Sequence, residues 1–95
     1  MGTKNVIYGV AKKIKSKALK VVERKLGRED AHAQVFMGEG LIEIDPRQNP
    51  REYQASLIHE CLHECFPQAT EDEVLEAEKI IGDTLWEQNY RKISQ

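Results

Sequence analysis

The sequence predicts an α+β domain in which a small antiparallel β-hairpin sits among helices, and three observations carry that prediction. Apolar residues recur at helical spacing over residues 5–26. Two short runs rich in β-formers flank Gly38-Glu39-Gly40. Two later segments open on helix-start signals, Asn49-Pro50 and Thr70. The chain has 95 residues, 40% hydrophobic and 32% charged, which fits one domain with a modest core and argues against disorder.

Residues 1–28 read as a basic N-terminal helix. Ile7, Val10, Ile14, Ala18, Val21 and Val22 form its apolar stripe, with Lys13, Lys17, Lys20 and Arg24 outside it. Gly9 weakens the first turns and Gly27 is its expected stop. Residues 31–37 and 41–45 are the two expected strands of the hairpin. In the second, Ile42 and Ile44 share one face, while Leu41, Glu43 and Asp45 share the other. Pro46 to Pro50 is a turn-rich connection, after which Asn49 caps a helix with Pro50 at its first position. Pro67 ends that helix. Thr70 caps the next, with Glu73 three residues on at capping-box spacing, and this C-terminal helix is expected to reach about Tyr90.

Charge is distributed unevenly. Residues 1–28 hold nine of the fourteen Lys and Arg and a single acid, whereas residues 29–95 hold fifteen acids and five bases. Such a split points to contact of the basic part with nucleic acid or a membrane surface, or to its docking on the acidic part. Lysine runs without interleaved aromatic residues are more often the solvated face of a packed helix. No apolar run approaches the roughly 20 residues of a membrane span, and residues 6–10 are too short an apolar core for a secretory signal. Cys61 and Cys65, four apart on one expected helix, read as reduced, buried thiols, in keeping with a cytoplasmic protein.

The most informative stretch is His59-Glu60-Cys61-Leu62-His63, an HExxH pattern. Residues four apart share a helix face, so two imidazoles placed this way can bind one cation from the same side. Glu60 lies about 100° round the helix, positioned to act as general base on a water activated by that cation. The ordinary alternative is a helix with two surface histidines. Against it stand Ala55, Leu57, Ile58, Leu62 and Phe66, which imply a helix buried on much of its circumference, where imidazoles and carboxylates need partners. Catalytic zinc generally has three protein ligands, and no histidine follows His63. On the acidic last helix, Val74, Ala77, Ile80, Ile81 and Leu85 define an apolar face. Glu73 falls inside it, and Glu76 and Glu78 lie at its edges. Glu73 is therefore the expected third ligand, with Glu76 open as an alternative and closure of the capping box as the competing role for Glu73.

A strand (residues 40–45), a turn, an HExxH helix and a glutamate on a following helix together resemble the gluzincin metallopeptidases. The likeness is to single-domain minigluzincins, to the core of ImmA/IrrE-type proteins, and to small phage-encoded HExxH proteins. It covers roughly residues 31–91 of a single domain spanning 1–95, and it implies a minimal zincin-like fold. It further implies Zn2+ on His59, His63 and Glu73, with Glu60 as the base. A peptide or protein would be the substrate, held on an edge strand, in a bacterial or phage-infected cytoplasm. Tyr90, Arg91, Tyr53 and His32 are the expected donors to a developing oxyanion, with Tyr90 placed in the site. The competing reading is a non-catalytic zinc-binding module that contacts nucleic acid through its basic helix.

Overall fold

The computed structural model describes residues 18–27 and 32–93. They form a small α+β fold in which three short strands, β1 (Lys20–Glu23), β2 (Ala33–Phe36) and β3 (Leu41–Ile44), are followed by two helices, α1 (Pro50–Cys65) and α2 (Glu71–Glu87). The sheet order is β1-β3-β2, with β1 parallel and β2 antiparallel to β3.

The expected helix over residues 5–26 is not what residues 18–26 form. Lys20–Glu23 is a strand, in register with Leu41–Ile44. Val21 and Val22 are β-branched and restricted at χ1, and a neighbouring strand offers their backbone a ladder that outweighs the helical spacing of the segment. The rest of the expected helix, residues 1–17, lies outside the described residues, as does the nucleic-acid contact it implied. The sheet is accordingly mixed rather than a bare antiparallel hairpin.

The hairpin itself forms as expected, with shorter strands. Gly38 and Gly40 both take positive φ (81° and 67°), which a side chain would resist. Ile42 and Ile44 of the central strand are fully buried and pack with Tyr53, ringed by Leu19, Ala33, Val35, Leu57 and Cys61. Each buried isoleucine is worth about 1.5–3 kcal/mol. On the opposite face Glu43 accepts from Arg24 (2.9 Å) and Gln34 (2.7 Å).

Both helix starts follow their sequence signals. The Asn49 side chain accepts from the Glu52 N–H, with Pro50 at the first helical position. Thr70 and Glu73 close a reciprocal capping box. α1 is anchored to the hairpin by Glu64, a buried carboxylate that accepts the Gly38 N–H through both oxygens (3.0 and 3.2 Å). Phe66, expected in the core, is about half exposed. Beyond α2, Asn89 (φ 65°) turns the chain back, and Arg91 lies over the Trp86 ring at 4.0 Å. Lys92 meets Glu23 at 3.4 Å, so the tail is strapped to β1. No helix among the described residues is long and apolar enough to cross a membrane.

Candidate metal centre

The last two turns of α1 bring the imidazoles of His59 and His63 together, as helical geometry requires of residues four apart. Their Nε2 atoms are 3.1 Å apart. Facing both is the Glu71 carboxylate, with Oε2 3.2 Å from His59 Nε2 and Oε1 2.9 Å from His63 Nε2. One donor atom from each residue thus lies within 4.8 Å of the other two. Three donors about 2.0–2.2 Å from a common tetrahedral centre stand roughly 3.3–3.6 Å apart, so the two Nε2 atoms, at 3.1 Å, are a few tenths of an ångström closer than a zinc ion would hold them, while Glu71 meets each of them with a different oxygen. Two neutral nitrogens and one carboxylate oxygen are also a donor set that suits zinc. The residues present fit the cation.

The third member differs from the one the sequence pointed to. Glu73 is exposed, and its carboxylate accepts from the Thr70 backbone N–H at 2.8 Å, while Thr70 Oγ1 accepts from Glu73 N at 3.1 Å. The capping box engages that acid at the helix start, where an unsatisfied N–H is available. Glu71 takes the place beside the histidines. At the first position of α2 its side chain tilts toward the helix N-terminus and extends past the end of the helix. A helical wheel assigns such a residue to a face, although no preceding turn lies beneath it. Glu76, the alternative, is exposed and outside the group.

The other nitrogen of His59 is also engaged. Nδ1 lies 2.7 Å from Glu78 Oε1, and the two side chains are only 17% and 21% exposed. With Nδ1–H donating to Glu78, Nε2 is left with its lone pair toward His63 and Glu71, the arrangement in which a carboxylate orients a metal-binding imidazole. Glu78 sits at the edge of the apolar face of α2, and that edge position was the only sequence signal for it.

Beside the group opens a cavity of about 520 Å3, with Glu60, Glu52 and Ser56 of α1 on one wall and His32 and Ala33 at the start of β2 on another. Burial pushes the Glu60 carboxyl above its ordinary value, and the neighbouring imidazoles oppose that shift. Of the expected oxyanion donors, only His32 lines this cavity. Tyr90 is 69% exposed, and its carbonyl accepts from Gln54. Tyr53 donates its hydroxyl to Glu23 at 2.7 Å, and Arg91 donates to the Trp86 carbonyl. Cys61 and Cys65 are free thiols, both pushed up in pKa chiefly by burial.

Comparison of the chain with protein-family models, with curated proteins and with solved structures gives no match, so the functional reading rests on the site alone.

Proposed function

We propose that this chain is a zinc-dependent peptidase of gluzincin type, with His59, His63 and Glu71 as the metal-holding residues and Glu60 as the general base. The observation that carries the reading is the convergence of two imidazole Nε2 atoms and one carboxylate beside a cavity walled by Glu60. Zinc, when bound, supplies a Lewis acid that polarises a carbonyl and eases deprotonation of a nearby water. Glu60 takes that proton on its carboxylate and returns it to the leaving amine nitrogen as the peptide bond breaks. Glu78 keeps the His59 ring in the tautomer and orientation that the site needs. His32, on the cavity wall, supplies the hydrogen-bond donor toward developing negative charge. β2 is one edge of the sheet among the described residues, and it begins at the cavity wall. An extended peptide added to that edge would carry its backbone toward the metal centre. The two reduced thiols suit a cytoplasmic protein.

The test is Glu60→Gln. The variant is expected to retain one zinc per chain and the wild-type circular dichroism spectrum while losing peptide hydrolysis. Loss of the metal would move Glu60 into the ligand set, and hydrolysis at the wild-type rate would remove its role as base.

A further inference from the structure

We infer that Glu64 is a positioning residue: by gripping the hairpin turn it fixes β2, the edge on which an extended peptide is added, at a set place along α1 and so relative to His59 and His63. The inference rests on the peptidase reading for the peptide as ligand, and on separate geometry for the role of Glu64.

One turn of α1 faces two ways. At 100° per residue, Glu64 falls about 20° from Tyr53 round the helix and within about 60° of Leu57 and Cys61, the residues packed with Ile42 and Ile44. His63, its neighbour in sequence, lies about 100° round on the side of the metal centre. Glu64 is thus an acid in the stripe that meets the sheet, only 3% exposed. Among the described residues its one polar partner is the Gly38 N–H, which both oxygens accept. Compared with an apolar side chain of similar size, a buried carboxylate with one N–H partner gains little stability, because desolvation offsets the hydrogen bond. What the contact does supply is a fixed distance between α1 and the turn.

That turn ends the strand that matters to a bound peptide. β2 lies against α1. Its first residue, Ala33, lines the cavity with Ala55 and Ser56, and Gly38, beyond its other end, meets Glu64. From Ala33 to Gly38 an extended chain covers about 16 Å, and from Ser56 to Glu64 the helix covers about 12 Å. Strand and helix therefore run side by side in one direction, with His59 and His63 between the two fixed ends. The Asp45 N–H donates to the His32 carbonyl opposite it at 2.9 Å. Alternation from that pair directs Gln34 and Phe36 to β3, and it leaves Ala33 and Val35 with their N–H and C=O groups at the free edge. These two residues are the whole of that edge within β2, so a small slip of the strand misaligns all of it. Gly38 and Gly40, both at positive φ, give the turn the backbone freedom for such a slip, and Glu64 removes it.

The experiment measures binding rather than turnover. Zinc-loaded Glu60→Gln protein is titrated with a fluorescent alanine- and threonine-rich peptide of about eight residues, long enough to pair along β2 and reach the metal centre. Acetohydroxamate, which meets the metal alone, is titrated separately. Adding Glu64→Met keeps the side-chain volume and removes the acceptor. It is expected to weaken the peptide about five- to tenfold, the loss of one or two edge hydrogen bonds, and to leave acetohydroxamate within about twofold. Glu64→Gln, whose amide oxygen still accepts from Gly38, should keep peptide affinity within about twofold. Equal weakening of both ligands, an unchanged peptide affinity in Glu64→Met, a loss as deep in Glu64→Gln, or no peptide binding at all overturns the inference. A second measurement needs no change at Glu64. In the Glu60→Gln protein the Gly38 amide should exchange slowly with and without peptide, and the Val35 amide should slow only when peptide is bound. Rapid exchange at Gly38, or at Val35 with peptide bound, overturns the inference too. Wild-type protein is assayed for cleavage of the same peptide. Binding that depends on Glu64 without cleavage would sink the peptidase reading and leave the positioning role standing, whereas cleavage with no effect of Glu64→Met on binding would do the reverse.

Discussion

Removing the Glu78 carboxylate should weaken metal binding without removing a ligand. Its Oε1 lies 2.7 Å from His59 Nδ1, within the range of a charge-assisted hydrogen bond. Both side chains are about four-fifths buried, so solvent screens the pair only partly. Carboxylates that orient metal-binding histidines are generally worth about 10–100-fold in metal affinity, or roughly 1.4–2.8 kcal/mol. Glu78→Ala is expected to fall in that range. Glu78→Gln should lose about tenfold, since its amide oxygen still accepts from Nδ1–H but carries no charge. Competition with a chromophoric zinc chelator gives the affinities, and circular dichroism confirms that the fold survives. An affinity for Glu78→Ala within twofold of wild type would refute the orienting role. A loss as deep as that of His63→Ala would make Glu78 a ligand instead.

Three further outcomes follow from the fold. Glu64→Ala should destabilise the protein by about 2–4 kcal/mol, because it leaves the Gly38 N–H of the hairpin turn without its charged acceptor and opens a gap beside it; chemical denaturation measures this, and a loss below about 0.5 kcal/mol would contradict it. Asp45 is held well below the usual carboxylate range by Arg47, whose guanidinium hydrogen-bonds it, and by the backbone N–H groups of Leu26 and Arg47. A folded-state pKa lowered in this way means stability that is fully present above the unfolded value, near pH 4, and lost as pH falls toward the folded value. Wild type should therefore melt higher than Asp45→Asn near neutral pH, with the gap narrowing below about pH 4; a gap that is constant with pH would contradict it. Tyr53 behaves oppositely. Burial, with the Glu23 contact, raises its hydroxyl pKa to about 12, so its contribution should fall away between about pH 10 and that value. Tyr53→Phe should flatten the alkaline decline of the melting temperature, and an unchanged decline would count against it.

Much of the frame was legible because it depends on local chemistry. Asn49-Pro50 and the Thr70–Glu73 pair mark both helix starts, and Gly38 and Gly40 mark the turn, since each satisfies a backbone requirement within a few residues. Ile42 and Ile44 alternate with polar neighbours, and that alternation gave the buried face of β3. β1 was not legible. The stripe from Ile7 to Val22 fits a helix, and only pairing with a strand about twenty residues later makes Lys20–Glu23 extended. The histidine pair could be read because residues four apart on a helix must meet. Its acidic partner could not, because Glu73 and Glu71 are two residues apart and the choice turns on which of them the helix start engages. Glu64 was equally hidden: a glutamate beside an HExxH pattern gives no sign that it will be buried against a glycine in a hairpin.

The central claim is that His59, His63 and Glu71 hold one metal ion. Zinc stoichiometry and affinity of the full-length protein, measured beside Glu71→Ala and Glu73→Ala, test it most directly. The account predicts one zinc per chain in the wild type, sharply weakened binding in Glu71→Ala, and near wild-type affinity in Glu73→Ala. Absence of zinc binding in the wild type would mean that Glu71 meets the two imidazoles only through hydrogen bonds and ion pairs. A loss confined to Glu73→Ala would overturn the assignment of the third ligand.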